Sequence, residues 1–148
     1  PNKGGWALRL MTVSGVVNIT VPTTGGAVFV GTALVIRGLD TTNAFETGDV
    51  STVVTASPLA MAPGATANAK DLLLAGWAGT ESRYSTNVTL SDTLVSTANS
   101  ATAGRQVVVQ SRTTSSAGAQ ANMTFTWTGG TSGTDYNAAG GLLKLRGH

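Results

Sequence analysis

The sequence predicts an all-β fold, two antiparallel sheets packed face to face, on three observations. Apolar residues recur with period two rather than 3.6. Thr is the most frequent residue, 24 of 148, and it stands beside Val in runs where branched Cβ atoms suit a pleated surface. Gly and Pro fall between the apolar runs, where turns need a positive or fixed φ.

Taken in chain order, Trp6 to Val13 opens with alternation, Trp6, Leu8 and Leu10 against Ala7, Arg9 and Met11. Val16 to Val21 sets Val17, Ile19 and Val21 opposite Asn18 and Thr20. Ala27 to Arg37 is nearly continuous apolar sequence and reads as a strand buried on both faces. Val50 to Thr55 is a weaker strand. Ala60 to Lys70 has helix-friendly Ala, but Pro63 and Gly64 interrupt it. Asp71 to Gly76 and Arg105 to Arg112, the latter around Val107-Val108-Val109, read as strands buried on both faces. Tyr84 to Leu90 alternates again. In Ala121 to Thr128 the alternation is clearest, Met123, Phe125 and Trp127 against Asn122, Thr124, Thr126 and Thr128. Leu143 and Leu145 face away from Lys144 and Arg146. Turns are expected at Gly38 to Thr42, Pro63-Gly64, Gly79-Thr80, Gly129-Gly130 and Gly140-Gly141, and loops at Ser96 to Gly104 and Thr113 to Gln120. Eight to ten short strands in one domain, residues 1–148, suit a jelly-roll sandwich.

Composition narrows the function. Only 11% of residues are charged, there is no Cys, and the single His is residue 148. Disulfide scaffolds, thiolate metal sites, Cys nucleophiles and Ser-His-Asp triads lack their required residues. The nine basic residues are spread singly, so nothing tracks a phosphate backbone, and no nucleic acid is expected. No run reaches the length of a membrane helix, and Pro1 to Gly5 lacks the apolar core of a secretory signal.

Asp40, Glu46, Asp49, Asp71, Glu81, Asp92 and Asp135 all sit at strand ends or in loops, where Asp bonds its own backbone in turns. Neither a glycosidase pair nor a cation loop at Asp40 to Asp49 is expected, and the chain reads as neither an enzyme nor a cofactor carrier. The three Asn-x-Thr triplets at Asn18, Asn87 and Asn122 are by-products of Thr-rich strands. Trp6 and Trp127 lie on apolar strand faces and read as core. Trp77 and Tyr136, beside Gly-rich turns, are the candidates for a glycan or partner contact. Arg37 and Arg146 each follow an apolar strand and precede Gly, which suits an ion pair between subunits as well as a plain solvated strand end.

Several stretches together resemble the jelly-roll domains of tailed-bacteriophage virion structural proteins, notably minor tail and fibre proteins. They are Pro1-Asn2-Lys3-Gly4-Gly5-Trp6, Val35-Ile36-Arg37-Gly38-Leu39-Asp40, Pro63-Gly64 followed by Lys70-Asp71-Leu72-Leu73-Leu74-Ala75, and Met123-Thr124-Phe125-Thr126-Trp127. The resemblance implies a virion subunit, tail- or fibre-associated ahead of capsid decoration, whose partners are copies of itself and neighbouring virion proteins. A homo-oligomer follows, a trimer by analogy. The other class of function left open is a carbohydrate-binding adhesion module that meets host surface glycan.

Overall fold

The computed structural model describes residues 18, 30–40, 42–46, 50–54, 57–79, 88–100, 105–127 and 138–147. They form ten strands: β1 (Val50–Val54), β2 (Leu59–Met61), β3 (Ala65–Thr66), β4 (Leu72–Gly79), β5 (Val88–Leu90), β6 (Thr93–Ser100), β7 (Arg105–Thr113), β8 (Gly118–Ala119), β9 (Met123–Trp127) and β10 (Ala138–Leu145). The fold is all-β. The largest sheet has the order β1-β10-β4-β7-β6, a second runs β2-β9-β5, and β3 pairs with β8 alone. All pairings are antiparallel.

The pairings nest. β1 pairs with β10, β2 with β9, β3 with β8 and β4 with β7. The chain thus runs out and returns as one long antiparallel ribbon. The ribbon then curls, so that β10 also pairs with β4 and β9 with β5.

Period two decides what each strand buries, because successive side chains point to opposite faces. From the five-stranded sheet, Leu73, Ala75 and Trp77 of β4, Val108 of β7 and Leu142 of β10 face the small sheet. They meet Leu59 and Met61 of β2 and Met123, Phe125 and Trp127 of β9. The rings of Trp77 and Trp127 lie tilted, 5.7 Å apart. The opposite parity makes a second apolar cluster on the outer face of the large sheet, Leu74, Val109, Leu143 and Leu145. Leu34, Ile36 and Leu39, from the extended segment 30–40, cover it. Strands β4 and β10 are therefore apolar on both faces, as continuous runs such as Leu72-Leu73-Leu74-Ala75 require.

Strands expected at Val50, Asp71, Arg105 and Ala121 are present within a few residues of their expected bounds. Of Tyr84 to Leu90, Val88–Leu90 is a strand and the rest lies outside the described residues, as do Trp6 to Val13 and all of Val16 to Val21 except Asn18. Other expectations are corrected. Residues 30–37 are not a strand buried on both faces: even positions turn inward, odd positions turn outward, and Val35 is 88% exposed. Gly140-Gly141 is not a turn but the middle of β10. A Cβ on Gly140 would come within 2.6 Å of Leu59 and 2.9 Å of Met61, so Gly is what lets the two sheets close there. Most of the loop expected after Ser96 is strand β6. The loop expected at Thr113 to Gln120 contains β8, and Gln120 N donates to Gly64 O at 3.0 Å.

Candidate functional site

Charge is sparse in this chain, and the structure spends much of it on internal ties. Arg112 of β7 grips Asp92, in the turn from β5 to β6, with two parallel bonds of 2.6 and 2.7 Å. It also donates to Ala121 O at 2.6 Å, just ahead of β9. Beside it, Gln110 accepts from Asp92 N and donates to Thr124 O. One fork-shaped cation thus joins the rims of both sheets, as its planar, multi-donor geometry allows.

A second tie lies at the end of β10. Glu46 accepts from Ala67 N at 2.6 Å and stands 3.8 Å from both Lys144 Nζ and Arg146 Nε. Lys144, only 8% exposed, donates to Ala65 O at 3.0 Å. Asp71, fully buried, accepts from Asn68 N and Gly147 N. Asp40 accepts from Thr42 N and Asn43 N, the Asx turn expected of it. The four described carboxylates are therefore bonded to backbone or to Arg and Lys. Among the described residues, no group of three or more His, Cys, Asp or Glu could hold a metal ion. No helix among them is long and apolar enough to cross a membrane.

Of the four residues singled out from sequence, Trp77 is corrected: it is not at the surface but fully buried in the inter-sheet core. The cause is that β4 runs on to Gly79, so Trp77 is an inward strand position and not the lip of a turn. A buried ring cannot stack on a sugar. Tyr136 lies outside the described residues. Arg37 is exposed, next to Gly38. Arg146 stands 3.8 Å from Glu46 of its own chain, with its side chain 30% exposed.

What remains is a surface free of charged side chains along β6 and residues 30–36, with the exposed Arg37 at its end. Strand β6, Thr-Leu-Val-Ser-Thr-Ala-Asn-Ser, carries no charge and no Pro. Its register against β7 shifts between Leu94 and Ser96, and Leu94 and Val95 stand outward, 55% and 40% exposed. Among the described strands, β6 is last in the order of the large sheet. Proteins usually blunt such edges with charge or Pro as well as bulges. Segment 30–37 meets β6 where the hydroxyls of Thr32 and Ser96 bond at 2.5 Å. It turns Gly31, Ala33 and Val35 outward. Sequence reasoning did not single out this surface. Its trace in the sequence was small residues at Gly31 and Ala33 alternating with Thr32, Leu34 and Ile36.

No family model, curated protein or solved structure matches this chain.

Proposed function

We propose that this chain is a structural subunit of a phage or phage-like virion, tail- or fibre-associated, that works by packing against copies of itself and neighbouring virion proteins. The observation that carries the reading is the uncharged, partly apolar surface along β6 and Val35, on a body whose described charges are largely engaged in internal ties. Thr, Ser, Ala and Val surfaces desolvate cheaply, whereas burying unpaired Lys or Glu in an interface is expensive. The sequence resemblance to phage tail and fibre domains points the same way.

We also propose that the sandwich is a jelly roll. A jelly roll is a long antiparallel ribbon wound around a barrel-like core, and the nested pairs β1·β10, β2·β9, β3·β8 and β4·β7 support that winding. So does the distribution of alternate ribbon segments, β1, β10, β4 and β7 in one sheet and β2, β9 and β5 in the other. The carbohydrate-binding alternative loses one of its two proposed rings with the burial of Trp77.

Electron microscopy of purified particles labelled with a gold-conjugated antibody against this chain is the test. Label on the tail or its fibres is expected. Label on the capsid shell would replace the tail role with decoration, and no label on any particle would overturn the virion reading.

A further inference from the structure

We draw no further inference here: the strongest candidate, the exposed apolar patch of Leu94 and Val95 on strand β6, belongs to the surface already described, and nothing in the structure shows what covers it.

Discussion

Phe125 and Thr126 are neighbours with opposite fates, since the first is fully buried between the sheets and the second is exposed on the far side of β9. Phe125→Ala leaves a cavity against Leu59 and Leu90 and should cost about 3–5 kcal/mol, whereas Thr126→Ala should stay within about 0.5 kcal/mol. Chemical denaturation of both variants checks this. Gly140→Ala is the opposite kind of error, because the added methyl is forced onto Leu59 and Met61, and overpacking of about 1–3 kcal/mol is expected in the same measurement. Both outcomes bear on how far sequence could go. The parity of Met123, Phe125 and Trp127 is written in the alternation itself, since it depends only on the strand period. The role of Gly140 is not, because Gly-Gly marks a turn or a close approach equally well. Only the partner across the gap decides, and Leu59 and Met61 are far away along the chain. Trp77 shows the same limit, since its burial depends on β4 continuing through Gly76 and Ala78 to Gly79.

Between elements, the joints are made by few side chains with many bonds. Arg112 ties β7 to the β5–β6 turn and to the approach to β9, with Asp92 only 10% exposed beneath it. Arg112→Ala strands that carboxylate and should destabilise by about 2 kcal/mol or more, while the double variant with Asp92→Ala should recover part of the loss. A thermodynamic cycle from denaturation curves measures the coupling. Additive single effects would mean that the fork does not join the elements. Strands β4, β7 and β9 were legible in the sequence because four or more residues repeat an apolar pattern. The short strands β2, β3 and β8 were not, for two or three residues carry no period, and their pairing comes from the ribbon that folds Ala65 onto Ala119. The surface along β6 was missed for a related reason. Thr, Ser, Ala and Asn read as loop by composition, and it is pairing with β7 that makes them a strand.

At the scale of the whole molecule, the nested ribbon sets both the folding and the role proposed for the chain. β1 must find β10 across more than half the chain, and such non-local pairing slows folding. Stopped-flow refolding should therefore show a main phase of milliseconds to seconds rather than microseconds. Among the described strands, the same ribbon leaves β6 last in the large sheet and uncharged, with Thr32 of the segment 30–36 bonded to it, and copies of the chain are proposed to associate through such surfaces. An uncharged interface has little to lose to ionic screening. Sedimentation velocity of the purified chain at micromolar concentration, in low and in high salt, tests that claim most directly. A homo-oligomer whose population changes little between the two salts is the predicted result, and a monomer in both would contradict it.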